Sequence, residues 1–260
     1  MIQALLKESL EQFGVPNWLL NELPEFPDDT CGVVLYGSRA RKDELPSSDL
    51  DLLALAGTAH RAIHSGSVSV SFYTPKQLST GIGTLFGAHL RRDGHILFDS
   101  NGSLAEALKS MGAVDTQRLF QRVRNMSQLF TTPEFDIPNY LPGLLREARY
   151  LLRSSLYAKA IEEGRPCFSV REIARRHKDP RLSSLLASRH DSEPTVEDYT
   201  MCVERLSQLI GPLMSSKHGS LEATVVNEWT ANSDLLSMAF MAIGSFGGGS
   251  DYSEVEKILL

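Results

Sequence analysis

The chain has 260 residues, with 26 Lys and Arg against 32 Asp and Glu, for a net charge of −6. An apolar fraction of 42% and a charged fraction of 22% are those of an ordinary water-soluble globular protein, long enough for one large or two small domains. The acidic balance argues against a general electrostatic grip on nucleic acid, while leaving room for a local basic patch, a cationic small substrate or a protein partner.

Residues Ile2 to Phe13 place Ile2, Leu5, Leu6, Leu10 and Phe13 on one helical face, and Gly14-Val15-Pro16 ends that helix. Asn17 is a candidate cap for a short helix over Trp18 to Leu23. The apolar run Val33-Val34-Leu35-Tyr36 reads as a strand ending in Gly37-Ser38. A polar, basic loop with Arg39, Arg41 and Lys42 leads to Ser48-Asp49-Leu50-Asp51-Leu52-Leu53, where two carboxylates alternate with apolar residues. Gly57 to Gly66 reads as a connection with room for one helical turn. Ser67 to Tyr73 alternates polar and apolar and reads as a third strand. A helix opened by Thr74-Pro75, a helix over Leu85 to Leu90, a fourth strand Ile96 to Asp99 and a helix Leu104 to Met111 follow.

From Val114 the strand signals stop. Helices are expected over Val114–Phe130, Leu141–Glu163, Val170–His177, Arg181–Ser188, Thr195–Ile210 and Leu221–Ile243, with Ser169 and Glu172 forming a capping box. Short loops imply mostly antiparallel neighbours in an all-α bundle. The glycine-rich stretch Gly244 to Ser250 reads as a flexible joint before a C-terminal tail. The expected organisation is therefore α+β: a small mixed-sheet core over 1–112, a helical bundle over 113–243, and a tail over 244–260.

Cys31, Cys167 and Cys202 are scattered and odd in number, which defines neither a disulfide framework nor a zinc site; they read as core fillers. No apolar run reaches membrane-spanning length, and the N-terminus lacks a signal-peptide pattern, so a cytoplasmic protein without a membrane partner is expected.

The chemistry concentrates between Gly37 and Asp51. In a strand Asp49 and Asp51 point to one side, and Leu50 and Leu52 to the other. Adjacent carboxylates repel unless a hard cation joins them, and Mg2+ is commonly held by one or two carboxylates plus substrate phosphates. Glycine lets backbone approach a phosphate closely, and main-chain N–H groups with a hydroxyl can cradle its oxygens. Arg39 and Arg41 are placed to neutralise a polyphosphate.

This stretch, Leu35-Tyr36-Gly37-Ser38 followed after a spacer by Asp49-Leu50-Asp51-Leu52, resembles the signature of the polymerase-beta-like nucleotidyltransferases. A nucleotidyltransferase core followed by helices is also similar to bacterial aminoglycoside-type and toxin–antitoxin-type members, in which the bundle contributes to the acceptor side of the cleft. The resemblance implies a mixed-sheet nucleotidyltransferase fold. It implies transfer of a nucleoside monophosphate from a nucleoside triphosphate (NTP) to a small molecule, a tRNA end or a protein, with release of pyrophosphate. The implied cofactor is Mg2+, or Mn2+ in its place. Asp49 and Asp51 would be the catalytic metal ligands. Gly37, Ser38, Arg39 and Arg41 would hold the nucleotide. A homodimer is left open.

Active members carry a third carboxylate on the next strand, and Ser69 stands about where that residue is expected. Serine is neither an anionic ligand nor a base at neutral pH. Asp93, Asp99 and Glu147 are candidates to replace it; otherwise one well-held metal suffices, or the chain is a catalytically weakened nucleotide-binding or antitoxin-like module. His89 and His95 read as ordinary core or surface histidines. Arg171 and His177 share the spacing of helical ribonuclease toxins, which leaves a fused ribonuclease as a third reading beside a solvated basic face. Arg146, Arg149 and Arg153 form one basic stripe, fit either for phosphates or RNA or for salt bridges, and Tyr150 and Tyr157 read as packing residues.

Overall fold

The computed structural model describes residues 2–46, 48–131, 134–187, 193–231 and 233–244. The chain divides into two compact units, one up to Val114 and one from Asp115 onward. The architecture is α+β, with every strand among the described residues in the first unit.

The first unit contains α1 (Ile2–Phe13), α2 (Asn17–Leu20), β1 (Thr30–Tyr36), α3 (Gly37–Arg41), β2 (Leu50–Ala56), β3 (Ile63–Ser65), β4 (Val68–Tyr73), α4 (Pro75–Ser79), α5 (Leu85–Asp93), β5 (His95–Asp99) and α6 (Ser103–Ser110). The five strands form one mixed sheet in the order β3-β4-β2-β1-β5. Only the β2–β4 pair is parallel; β1–β2, β1–β5 and β3–β4 are antiparallel.

Alternation along the strands gives the sheet two apolar faces. Val33, Leu35, Leu50, Leu52, Val68 and Val70 face a core closed by Leu6 and Leu10 of α1 and Leu19 and Leu20 of α2, with Ile63 of β3 packed against it. Val34, Leu53 and Leu55 face a second core closed by Leu78 of α4, Leu90 of α5 and Leu104 and Leu108 of α6. Local chemistry stops and starts these helices. Thr74 and Gln77 form a reciprocal capping box at α4, with Pro75 as its first residue. Asp99 accepts the amide of Ala105 at 2.9 Å at the start of α6.

Three expectations for this unit are corrected. Asn17 is the first residue of α2, preceded by Pro16 as its cap, and α2 ends at Leu20. The basic segment after Tyr36 is the helix α3 and not a loop. Part of the Gly57–Gly66 connection is the edge strand β3, which is too short to show an alternation.

The second unit contains α7 (Thr116–Met126), a 3₁₀ turn (Ser127–Thr131), α8 (Asp136–Glu162), α9 (Val170–Arg176), α10 (Pro180–Leu185), α11 (Val196–Ile210), α12 (Leu221–Glu228) and α13 (Asp234–Ile243). Helix α8 is central and packs against α7, α11 and α13. It kinks at Tyr140 (φ −126, ψ 17), two residues before Pro142, whose ring and missing N–H break the preceding turn; the regular part therefore begins at the expected Leu141. The last predicted helix is two, separated by the turn before Ser233, whose hydroxyl caps α13. Ser169 caps α9 as expected, but Glu172 pairs with Arg176 instead of completing a capping box. The three cysteines are free, with Cys167 and Cys202 buried and Cys31 half-buried. Among the described residues no helix is long and apolar enough to cross a membrane. The expected glycine-rich joint and tail lie, past Gly244, outside the described residues.

One glycine of this unit lets two helices approach closely. A Cβ on Gly143 of α8 would collide with the carbonyl oxygen of Ala242 on α13. Gly143→Ala is therefore expected to destabilise the second unit by about 1–3 kcal/mol, as overpacking does. Gly244→Ala, at φ below zero with open space around it, is expected to be neutral. Urea denaturation of both variants checks this, and equal midpoints would refute it.

Candidate functional site

The candidate site is built where β1 ends and β2 begins. The antiparallel register sets Tyr36 opposite Asp51. The chain leaves β1 at Gly37 with φ +79, a conformation that favours glycine. A Cβ at this position would run into Oδ2 of Asp51. The Asp51 carboxylate thus seats against the bare Cα of Gly37, at the first turn of α3. The N-cap residue Tyr36 makes no side-chain capping bond to that turn, and Ser38, half-buried, is its second residue.

Across the sheet, Asp51 pairs with Ser69 of β4, and Ser69 pairs with His64 of β3. Paired residues share a face, so Tyr36, Asp51, Ser69 and His64 form one polar row. Ser71, one step along β4 on the same face, hydrogen-bonds the Tyr36 hydroxyl. Burial, and then the charge of Asp51, push the Tyr36 hydroxyl above its ordinary range. Tyr36 is therefore a neutral donor at physiological pH.

The two arginines have different fates. Arg39 is buried, and its Nε donates to the carbonyls of Ser48 and Asp49, both at 3.2 Å, with Nη2 donating to Ser48 as well, at 2.6 Å. Its guanidinium ties α3 to the residues that open β2 and so places Asp49. Arg41 makes a two-pronged pair with Asp43, at 3.2 and 3.4 Å, and donates from Nη1 to His89 Nε2 at 3.0 Å. Burial first, then the charges of Arg41 and Arg92, lower the His89 pKa to about 3. Nε2 also lies 3.6 Å from Asp93, which would be an ion pair only with a protonated imidazole. A neutral ring accepting from Arg41 agrees with both the burial and the shorter distance. The sequence expectation of an ordinary, satisfied histidine holds for His89, but nothing in the sequence paired it with Arg41.

Each of the proposed substitutes for a third carboxylate has neighbours of its own. Asp99 faces Gly32 near the opposite end of β1 and caps α6. Asp93 is buried at the end of α5, beside Arg92 at 3.4 Å. Glu147 belongs to the second unit, where it pairs with Arg146 at 2.8 Å. The basic stripe on α8 is also committed internally, with Arg146 bonded to the Met241 carbonyl and Arg149 to Asp198. Tyr157 packs its ring on Phe168.

Among the described residues no group of three or more His, Cys, Asp and Glu side chains is arranged to hold a metal ion. Asp49 and Asp51, both half-buried at the start of β2, fit a single Mg2+ that takes its remaining oxygens from bound phosphates and water. They do not fit a cage made by the protein alone.

No protein-family model and no curated protein matches the chain. One solved structure, described as a nucleotidyltransferase-like protein from Exiguobacterium sibiricum, is similar at a TM-score of 0.32 and 16% identity, over 78% of this chain and 74% of that one. A likeness this distant assigns neither a fold family nor an activity.

The neutral His89 carries a pH signature. The unfolded chain takes up its proton near the ordinary value of 6.5, and the native chain only near about 3. Between those values the unfolded state holds more protons, so native stability falls as pH drops below 6.5, by at most about 1.4 kcal/mol per pH unit. His89→Gln keeps an acceptor for Arg41 and removes the titration. The wild type is expected to lose more stability than His89→Gln between pH 7 and pH 4, where its unfolded and native states differ in bound protons; parallel denaturation profiles would contradict this.

Proposed function

We propose that the chain is a nucleotidyltransferase that moves a nucleoside monophosphate from an NTP to an acceptor hydroxyl or amine. The observation that carries this reading is the seat of Asp51 on Gly37. It joins a carboxylate able to bind a cation to a glycine backbone able to approach a phosphate, at the start of a helix turn. Asp49, one residue before the strand, adds the second carboxylate.

When bound between Asp49, Asp51 and the triphosphate, Mg2+ or Mn2+ would polarise the reacting phosphate and neutralise its charge. The chain's own work is positioning. The amides of Gly37 and Ser38, with the Ser38 hydroxyl, would hold phosphate oxygens. Arg39 holds the backbone of Ser48 and Asp49, which makes it a positioning residue in this reading and not a phosphate ligand. Arg41, its guanidinium oriented by Asp43 and His89, is the cation we assign to the pyrophosphate side. The Tyr36 and Ser69 hydroxyls can donate hydrogen bonds beside Asp51.

One observation favours a second reading. The residue in register with Asp51 on the neighbouring strand is Ser69, so no carboxylate supports a second metal or takes a proton from there. The alternative is a catalytically weakened nucleotide-binding module with an antitoxin-like or regulatory role. The net charge of −6 mildly favours a cationic small molecule or a protein as acceptor over tRNA.

The deciding experiment incubates the protein with each α-labelled NTP, Mg2+ and a cleared cell extract, which is then separated into RNA, protein and small-molecule fractions. Label is expected in one fraction, with at least about a 10²-fold loss in Asp51→Asn, as for removal of a main electrostatic contributor. Nucleotide binding without transfer would establish the second reading. Gly37→Ala, which places a methyl group against the Asp51 carboxylate, is expected to abolish transfer while leaving the far-ultraviolet circular dichroism unchanged; full activity in this variant would refute the assigned geometry.

A further inference from the structure

Ser69 leaves the row beside Asp51 without a group that can take a proton, but the row continues one strand further. Ser69 stands in register with Asp51 on one side and with His64 on the other. Two strand spacings put the His64 backbone about 10 Å from that of Asp51. The neighbouring Ile63 packs into the core on the opposite face of the sheet. Strand alternation therefore turns His64 to the face that carries Asp51, Ser69, Ser71 and Tyr36. His64 is exposed, while Ser69 and Asp51 are half-buried, so the row is a polar shelf that opens towards solvent at the β3 edge.

Several other candidates on this unit are spoken for. Tyr36 is held neutral by burial and by Asp51. His89 accepts a hydrogen bond from Arg41. His95 stands opposite Leu35, on the other face, with its ring against Phe13. His60 bonds Asp29 at 2.8 Å beyond the far end of β2. Asp99 caps α6.

Building on the nucleotidyl transfer reading above, we propose that His64 is the proton acceptor of the transfer step, standing in for the carboxylate that position 69 lacks. The acceptor oxygen or nitrogen bonds to the α-phosphorus as the bond from that phosphorus to the α–β bridging oxygen breaks. Pyrophosphate leaves with the electron pair, and the acceptor's proton passes to an imidazole nitrogen of His64. An imidazole is a side chain suited to this role near neutral pH. It also places the acceptor at the open β3 edge of the shelf.

The test uses the full chain, the four α,β-methylene NTP analogues with Mg2+ as binding probes, and label transfer to cell extract as the reaction. In His64→Ala, calorimetric binding of the analogue is expected to match wild type while transfer falls by about 10²–10⁴-fold, the usual contribution of a positioned base. Placing a carboxylate in register with Asp51, in His64→Ala/Ser69→Asp, is expected to restore part of the lost rate, which a structural role for His64 would not allow. In the wild type, the bound analogue is expected to move the imidazole NMR signals of His64 and to leave those of His60 in place.

Wild-type rates in His64→Ala, or imidazole signals that do not respond, overturn the assignment while nucleotidyl transfer still stands on Asp51→Asn. Binding of the analogue by wild type with no transfer of label also overturns it. If wild type binds none of the analogues, the nucleotidyl transfer reading itself falls, and the role of His64 with it.

Discussion

The constraint on which the candidate site depends is steric. The Asp51 carboxylate occupies the space in which residue 37 would otherwise carry its side chain. That seat exists because β1 and β2 pair antiparallel with Tyr36 opposite Asp51, and because the chain can turn at φ +79 immediately after Tyr36. Everything nearby follows from keeping this corner closed. Helix α3 is too short to be stable alone, and the buried guanidinium of Arg39 ties it to the carbonyls that open β2. An arginine is suited to this task because its planar fork can serve two carbonyls at once and remains only weakly hydrated. The cost of burying its charge is offset by those bonds, so the group is a structural clasp even though it lies in a segment whose composition reads as phosphate-binding.

Much of this unit was legible because its strands are apolar runs or alternations long enough to be read, and because the spacing from Gly37 to Asp51 carries chemical meaning. What stayed hidden is what periodicity does not encode. Helix α3 has only five residues, GSRAR, with no apolar face to betray it. Strand β3 has three, IHS, within a stretch that reads as loop. Register is set by contacts between strands, so residue order alone does not reveal that Ser69 is flanked by Asp51 and His64. The direction of a long side chain is equally silent: Arg39 and Arg41 look alike in sequence, yet one is spent on backbone carbonyls and the other on Asp43 and His89.

The second unit repeats the lesson with charges. Its helices could be read from their apolar faces and caps, as at Ser169, although the cap at Ser233 that splits the last helical region was not. Its basic stripe on α8 looked available for a polyanion, but Arg146 and Arg149 fill hydrogen-bonding demands of α13 and α11 instead. The interior of this unit also holds a buried Glu147, whose carboxyl is pushed up by burial and only partly drawn back by Arg146. A carboxyl in that state answers to its own helix neighbour, and its spacing in the sequence could not distinguish it from a metal ligand.

A serine at position 69, in register with Asp51, has a definite chemical meaning on this sheet. Tyr36, Ser69 and Ser71 line the face beside Asp51 with hydroxyls, and hydroxyls donate hydrogen bonds to anionic oxygens without adding negative charge. Two carboxylates among neutral donors hold one hard cation together with a polyphosphate more comfortably than three carboxylates would without a second cation to balance them. These hydroxyls can bind and orient, but they cannot remove a proton at neutral pH. Any chemistry at Asp51 that releases a proton must therefore export it along the sheet or into solvent, and the register that places an imidazole in the same row makes the β3 edge the short way out.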